Sequence, residues 1–522
     1  MRKPRRLLTL SSLVVIVLAV AAAGLAGDND SGFKTTQPSM LLGRTGTTVT
    51  PLLTVGETLG DGYRFESIPD GISIGRVNGR GTVDIFVNHE TSLVPFPLPS
   101  ATVAGRSDFT NAMVSRLRLN QHSAGVLQGE LAIPSSANYQ RFCSNFLASQ
   151  EHGFERDILF TNEEATDFVS RTGVAWPAPA SEPPSEQAGV VVALDVKSGE
   201  YRSIHGMGRH NHENSVALPG FGHPVVLSGD DTFTAPSSQL YLYTAASGDA
   251  VWNAQGTLWA LPTIDPTQND YGDVLAGPGI AVRFIEVPRG IAVGGQTGLE
   301  TWSNANNVFQ FIRVEDIAYD RNDPRIVYFA DTGEPRALPG TPRLTRGASG
   351  TKGPYMNGRI WKLVLGADPT GTGTLSILPG ANFDAGGYTN PSVPHQPDNV
   401  ETTKTAIYFQ EDTGAHNSSA PPSPYDPFPN ATNARIWRYD LATQALTVVA
   451  EVDQAGLPGA ARGSWESSGI VDASSVFGPG AFLVDIQAHG LEIERSPNPP
   501  VVNQVNFMRE AGQLLLIRVA SP

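Results

Sequence analysis

The chain of 522 residues contains a single cysteine, Cys143. One thiol cannot form an intramolecular disulfide, which excludes the disulfide-stapled scaffolds that are common among small exported proteins. Cys143 therefore has two interpretations. It is either a small buried hydrophobic residue or a thiolate ligand of a metal such as iron or zinc, which soft sulfur suits far better than calcium.

Long apolar runs are missing after the N-terminus, so we expect no stable membrane insertion once the leader is removed. Residues 1–26 have the features of an export signal peptide, because basic residues between Arg2 and Arg6 precede an apolar stretch. We place cleavage near Ala26, and an uncleaved anchor is the alternative. The Arg5-Arg6 pair permits twin-arginine export. The sequence thus predicts an extracytoplasmic protein, either periplasmic or secreted.

Basic residues are few, because 36 Lys and Arg stand against 51 Asp and Glu, a formal charge of −15. Such a chain repels phosphate backbones, so we expect no nucleic-acid partner. The same charge favours the uptake of divalent and trivalent cations. We expect the protein to act as a monomer.

Helical periodicity is also scarce, whereas 54 Gly and 40 Pro separate short runs of strand-like composition. A polar lead-in over residues 27–50 precedes this pattern, which continues over residues 51–522. Within it, Ile326–Gly333 is similar to Ala406–Gly414, and each copy is followed by an Arg-Ile-Trp strand. The repeat predicts an all-β fold, namely a β-propeller with long inter-strand insertions.

Short acidic motifs recur where an apolar run meets a polar turn. Their acidic residues are Glu90, Glu163, Glu164, Glu213, Asp230, Asp231, Glu315 and Asp398. In a propeller, equivalent loops of successive blades meet at the mouth of the central channel, so these carboxylates are expected to converge. Converging carboxylates repel one another unless cations lie among them. The sequence therefore predicts a polynuclear metal site, although Gly229-Asp230-Asp231 also fits an ordinary turn.

The order of these motifs resembles that of the PhoX-type alkaline phosphatases, which are metal-dependent β-propeller enzymes. The resemblance extends from about residue 60 to the C-terminus. It includes Asn88-His89-Glu90, Arg141-Phe142-Cys143-Ser144, Thr161-Asn162-Glu163-Glu164, Gly208-Arg209-His210-Asn211-His212-Glu213, Gly229-Asp230-Asp231, Arg313-Val314-Glu315-Asp316, Pro397-Asp398-Asn399, Trp465-Glu466-Ser467-Ser468-Gly469 and Val484-Asp485-Ile486-Gln487-Ala488-His489-Gly490.

The resemblance implies an exported phosphomonoesterase that acts on small phosphate esters. It also implies a cluster of Fe³⁺ and Ca²⁺ ions in which Cys143 binds iron. The carboxylate ligands that it implies are Glu90, one of Glu163 and Glu164, Glu213, Asp230 or Asp231, Glu315 and Asp398. Arg313 and Asn399, with Glu315 beside them, would hold the phosphate while a metal-bound oxide or hydroxide attacks phosphorus.

Two other functions remain open from the residues themselves. One is a calcium-dependent propeller hydrolase of other specificity, phytase-like or lactonase-like, and the other is a non-catalytic propeller that binds calcium and a partner. Cys143 and Arg313 favour the phosphatase, because neither alternative needs a thiolate or such an arginine. His89, His210 and His212 are expected to orient acidic ligands through hydrogen bonds rather than to bind metal themselves.

Overall fold

A computed structural model describes residues 31–90, 93–94, 112–137, 139–166, 189–232, 238–274, 277–333, 355, 357–386, 390–412, 432–454, 465–496 and 506–520. The signal peptide predicted for residues 1–26 lies outside these ranges, and the predicted domain boundaries stay predictions. Within the described ranges, none of the helices has the length and apolarity needed to cross a membrane.

The described residues are mostly β-strands. In chain order these are β1 Leu41–Gly43, β2 Thr48–Thr54, β3 Pro69–Asn78, β4 Thr82–His89, β5 Leu93–Val94, β6 Met113–Asn120, β7 Val126–Ile133, β8 Phe142–Ala148, β9 Ile158–Glu163, β10 Val191–Asp195, β11 Tyr201–Ser203, β12 His212–Ala217, β13 Val225–Asp230 and β14 Leu240–Thr244. They continue with β15 Thr257–Ala260, β16 Ile280–Arg283, β17 Ile285–Glu286, β18 Val314–Tyr319, β19 Ile326–Asp331, β20 Arg359–Val364, β21 Thr372–Asn382, β22 Pro397–Thr402, β23 Ala406–Glu411, β24 Arg435–Asp440, β25 Leu446–Val452, β26 Glu466–Asp472, β27 Ala481–Ser496 and β28 Asn506–Arg518. The α-helices in the described ranges are α1 Gly248–Trp252, α2 Arg289–Ala292, α3 Gln296–Ala305 and α4 Ser474–Phe477.

The strands form six antiparallel sheets, which are the blades of a six-bladed β-propeller. From the innermost strand outwards, blade 1 is β3-β4-β6-β7, blade 2 is β8-β9-β10-β11 and blade 3 is β12-β13-β14-β15-β17. Blade 4 is β18-β19-β20-β21-β16, blade 5 is β22-β23-β24-β25-β1 and blade 6 is β26-β27-β28-β2. The predicted all-β propeller is therefore confirmed.

The innermost strands form a closed ring, in which each contacts the next and β26 contacts β3. Strands β1 and β2, from the N-terminal part of the described chain, complete the outer edges of blades 5 and 6. This pairing joins the two ends of the described chain through main-chain hydrogen bonds. The six inner strands therefore surround one central channel.

The internal repeat corresponds to blades 4 and 5, which pack their aromatic residues in the same way. Trp361 stacks on Phe329 with ring centroids 6.3 Å apart, and Trp437 stacks on Phe409 at 6.5 Å. The two indole N–H groups donate to the carboxylates of Asp331 and Glu411, which end the second strand of each blade. The tryptophans thus pack within the blades, and they anchor acidic residues.

The inner strands share a β-bulge close to their first residue. In blades 1 to 5 the register with the second strand shifts directly after Pro69, Phe142, His212, Val314 and Pro397. In blade 6 the shift follows Ser468. A bulge leaves one residue outside the regular pairing and changes the direction of its side chain. The same end of the channel therefore receives redirected side chains from blades 1 to 5.

Candidate metal centre

In blades 1 to 5, the residue that follows the bulge position is acidic or a cysteine. These residues are Asp70, Cys143, Glu213, Glu315 and Asp398. All five are close to the same end of the channel because the inner strands start there side by side. The sequence predicted four of them, and Asp70 was not among the predicted residues.

The ends of the second strands add further carboxylates at this end of the channel. Glu90 follows β4, Glu164 follows β9, Asp231 follows β13 and Asp412 follows β23. Glu466 is the first residue of β26. In an antiparallel pair the end of the second strand lies beside the start of the inner strand, so these residues lie next to the bulge residues.

The side chains assemble into four groups that share members. In each group the ligand atoms lie within 4.8 Å of one another. The groups are Asp70 with Glu90 and Cys143, Cys143 with Glu164 and Glu213, Glu213 with Glu315 and Asp398, and Asp398 with Asp412 and Glu466. Because Cys143, Glu213 and Asp398 each belong to two groups, the four form one continuous chain.

The donor set fits metal cations. Burial and the neighbouring Asp70 raise the pKa of Glu90 well above its usual value, and burial with Glu315 does the same for Glu213. Burial likewise raises the pKa of Asp398, whose Oδ1 is enclosed and has no hydrogen-bond partner among the described residues. Crowded carboxylates of this kind are stabilised by cations, which also satisfy such an oxygen.

The structure distinguishes between the neighbouring acidic residues that the sequence left as alternative ligands. Glu164 belongs to a candidate group, whereas the carboxylate of Glu163 accepts the backbone N–H groups of Gln140 at 2.9 Å and Val190 at 3.3 Å. Asp231 contacts Arg313, whereas Asp230 Oδ1 accepts the Thr232 N–H at 3.2 Å. In each pair the second residue is the one that contacts the site.

Arg313 lies between two carboxylates at the edge of the groups. Its Nε and one terminal nitrogen donate to both oxygens of Asp231 at 2.7 Å, and the same terminal nitrogen lies 2.9 Å from Glu315. Although burial raises the pKa of Asp231, Arg313 brings it below its usual value. Thr332 also donates to Glu315, at 2.7 Å. Arg313 therefore neutralises and orients both carboxylates.

Asn399 directly follows the bulge residue Asp398 and is hydrogen-bonded to polar side chains of neighbouring blades. Its Nδ2 donates to Ser144 Oγ at 3.2 Å, and Ser144 Oγ donates to Glu213 at 2.9 Å. On the other side, Asn399 Oδ1 lies 3.1 Å from Ser468 Oγ, which donates to Asp70 at 2.5 Å. Asn399 thus connects two candidate ligands across the channel.

The histidines named from the sequence are not members of the four groups. His89 and His212 each form a hydrogen bond of 2.7 Å with a serine hydroxyl, and His210 stacks on Tyr241. A different histidine contacts a candidate ligand, because His489 lies 3.3 Å from Glu466 and 3.1 Å from Glu510. The described hydrogen bonds of His89, His210 and His212 thus do not reach a member of the four groups, whereas His489 contacts Glu466.

Sequence reasoning did not select Asp70, Asp412 or Glu466, although two signals were available. Pro69-Asp70-Gly71 has the same pattern as Pro397-Asp398-Asn399, with proline before the acid and a turn-forming residue after it. Asp412 lies in the second copy of the internal repeat. Comparing blade positions would have identified both.

The fold and the site define a six-bladed propeller with an acidic, cysteine-containing centre at one end of its channel. A scan against protein-family models finds no match, and a search of curated proteins finds none either.

Solved structures show distant similarity to the chain. The NanB sialidase from Streptococcus pneumoniae is 7% identical with a TM-score of 0.34, over 87% of this chain and 69% of the sialidase. A puromycin-hydrolysing peptidase from Mycobacterium tuberculosis is 8% identical with a TM-score of 0.27, over 81% of this chain and 47% of the peptidase. The chain thus spans about half of the peptidase. Similarity this low carries no argument about activity.

Proposed function

We propose that the protein is an exported, metal-dependent phosphomonoesterase that resembles the PhoX-type alkaline phosphatases. The observation that carries this proposal is the continuous chain of four acidic groups, which includes a thiol and has Arg313 at its edge. Phosphate esters are anions, and a row of cations beside an arginine suits the charge of a phosphoryl group.

The donor set suggests which ion would occupy which group. Cys143 is shared by two groups, and a thiolate with carboxylates suits Fe³⁺. The other two groups contain only carboxylates, around Glu213 and Asp398, and carboxylate oxygens suit Ca²⁺. When bound, these cations would polarise the phosphoryl oxygens and lower the pKa of water.

The protein's own residues would hold this arrangement in place. Arg313 fixes Asp231 and Glu315, which keeps the carboxylate of Glu315 beside Glu213 and Asp398. Ser144 orients Glu213 through its hydroxyl. Fixed ligands hold a phosphate ester in one orientation, which is a major part of the catalysis of phosphoryl transfer.

A calcium-only propeller, with another hydrolytic specificity or with no catalysis, is the second candidate. One observation favours it. The Sγ of Cys143 donates a hydrogen bond to Asp70 at 3.0 Å, and burial with the nearby Asp70 raises the pKa of this thiol. A cysteine that stays protonated would leave carboxylates as the ligands, which is the donor set that calcium prefers.

Metal analysis and substrate assays distinguish the candidates. The protein is purified without chelators, its iron and calcium are measured, and hydrolysis of p-nitrophenyl phosphate is compared with that of p-nitrophenyl acetate and a simple lactone. We expect iron and calcium together, with hydrolysis of the phosphate monoester. Calcium without iron, combined with hydrolysis of the lactone or of no substrate, would instead support the second candidate.

A further inference from the structure

Two arginines occupy the same position in two different blades. Arg141 directly precedes β8 and Arg313 directly precedes β18, so each lies two residues before a bulge residue of the candidate centre. Blade 2 continues with Cys143 and blade 4 with Glu315. The propeller thus directs two guanidinium groups towards one site, although of these two arginines the family resemblance implies a phosphate contact only for Arg313.

The two guanidinium groups have different surroundings. The side chain of Arg313 is 9% exposed and makes contacts of 2.7–2.9 Å with Asp231 and Glu315. The side chain of Arg141 is 23% exposed, and its ion pairs are longer, 3.7 Å to Glu90 and 3.9 Å to Glu164. A terminal nitrogen of Arg141 also donates to the backbone carbonyl of Glu164, at 3.5 Å. These distances exceed the usual hydrogen-bond range, so these ion pairs constrain Arg141 less closely than the contacts of Arg313 constrain that residue.

The backbone at Arg141 has an unusual conformation. Its φ angle is +36°, and the residues at the same position in blades 1 and 5, Ile68 and Gln396, also have positive φ angles of 51° and 50°. Non-glycine residues adopt this region at a cost in free energy, and such residues concentrate at functional sites. Arg141 is the charged member of this set.

Arg141 lies beside two of the four candidate groups. Glu90 belongs to the group with Asp70, and Glu164 belongs to the group with Glu213. Glu164 also interacts with Asp231, the residue that holds Arg313. Once Glu90 and Glu164 share their charge with bound cations, their attraction for Arg141 weakens, and the guanidinium can pair with an incoming anion.

We propose that Arg141 is a second anion-binding residue of this centre, and that it contacts the phosphoryl oxygens of the substrate and of the released phosphate. Arg313 mainly holds Asp231 and Glu315 in place. This inference rests on the proposed phosphatase function and adds to it the residue that determines phosphate affinity. The ligand class is a phosphate monoester or inorganic phosphate.

Calorimetric titration with inorganic phosphate tests this role without depending on turnover. The metal-loaded wild-type protein is compared with Arg141→Ala, Arg141→Lys and a control, Arg80→Ala, which replaces an exposed arginine in the turn after β3. Iron and calcium are measured in every sample. Arg313→Ala is a poor probe, because it leaves two buried carboxylates without their cation and destabilises the fold.

We expect Arg141→Ala to bind phosphate about tenfold to a hundredfold more weakly, the usual effect of losing a charged hydrogen-bond donor. Arg141→Lys should recover little, because an ammonium group cannot make bidentate contacts. Arg80→Ala should bind phosphate as the wild type does. In turnover of p-nitrophenyl phosphate, the KM of Arg141→Ala should rise more than its kcat falls.

Three outcomes would overturn the inference, and they can be told apart. Unchanged phosphate affinity in Arg141→Ala with full metal content would refute the role of Arg141 alone. Loss of iron or calcium from both Arg141→Ala and Arg141→Lys would show that the residue holds the ligands and not the anion. A fully metal-loaded wild type that binds no phosphate would refute the proposed function, and the role of Arg141 with it.

Discussion

Neighbouring residues at the ends of the second strands have opposite surroundings. In blades 2, 4 and 5 the last strand residue, Glu163, Asp331 or Glu411, accepts backbone N–H groups from the segment before the inner strand. The residues that follow contact the centre instead, as Glu164 and Asp412 do in the candidate groups and Thr332 does through Glu315.

The difference shows that burial alone does not identify a metal ligand. Glu411 is fully buried, yet Arg435 and Trp437 donate to it, so protein groups satisfy its charge. Glu164 is also buried, but burial and the nearby Asp231 raise its pKa well above the usual value, even though Arg141 opposes them. The first kind of carboxylate is satisfied by protein groups, whereas the second kind would be stabilised by cations.

Removal of the metals should have the largest effect on activity and stability, because it affects only the carboxylates of the second kind. Treatment with a strong chelator should reduce phosphomonoester hydrolysis to background and lower the unfolding midpoint. An ion present at a thousand times its dissociation constant contributes about 4 kcal/mol to the free energy of unfolding. Both effects are measured by hydrolysis assays and thermal unfolding in the presence of chelator. The control is chelator that has been presaturated with calcium and iron. Full activity after complete metal removal would contradict the metal centre.

Exchange of one acid at a time should separate the two kinds of carboxylate. Glu164→Gln should reduce the affinity for one cation by more than about tenfold, because it removes a charged ligand. Glu163→Gln should retain the metals but lower the free energy of unfolding by about 1–3 kcal/mol, because backbone N–H groups lose a charged acceptor. Each variant is the control for the other, with metal content and denaturant unfolding as the measurements. Equal metal loss in both variants would remove the distinction.

Replacement of the thiol should affect one metal more than the other. Cys143→Ser should lower the iron content much more than the calcium content, because a hydroxyl group ionises poorly and is a weak iron ligand. Elemental analysis of the variant and the wild type, purified together, measures the ratio. Cys143→Ala serves as the control for loss of volume. A serine variant with full iron and full turnover would show that the thiolate of Cys143 is not an iron ligand.

The geometry of β-strands explains which residues of the candidate site could be predicted from the sequence and which could not. The acidic ends of strands were visible in the sequence, and blade equivalence predicted that Glu90, Glu213 and Glu315 would converge. The choice between Glu163 and Glu164 was not visible, because adjacent strand residues point to opposite sides and the sequence does not show which side faces the channel. The fold decides it, because the backbone N–H groups of Gln140 and Val190 donate to Glu163 and leave Glu164 beside the centre.

The smallest effect, a change in the sign of a pH dependence, tests the comparison as a whole. Burial raises the pKa of Glu90, Glu213 and Asp398 in the folded apoprotein, so the folded state keeps protons that the unfolded chain has already released. The stability of the apoprotein should therefore fall as the pH rises from about 4, the usual carboxyl pKa, through the raised values. In the metal-loaded protein, protons compete with cations for the same oxygens, so stability should fall as the pH decreases. Unfolding midpoints at acidic and neutral pH, with and without chelator, measure both slopes. If the chelated and loaded proteins showed the same slope, the carboxylates of the centre would not be the groups that bind cations.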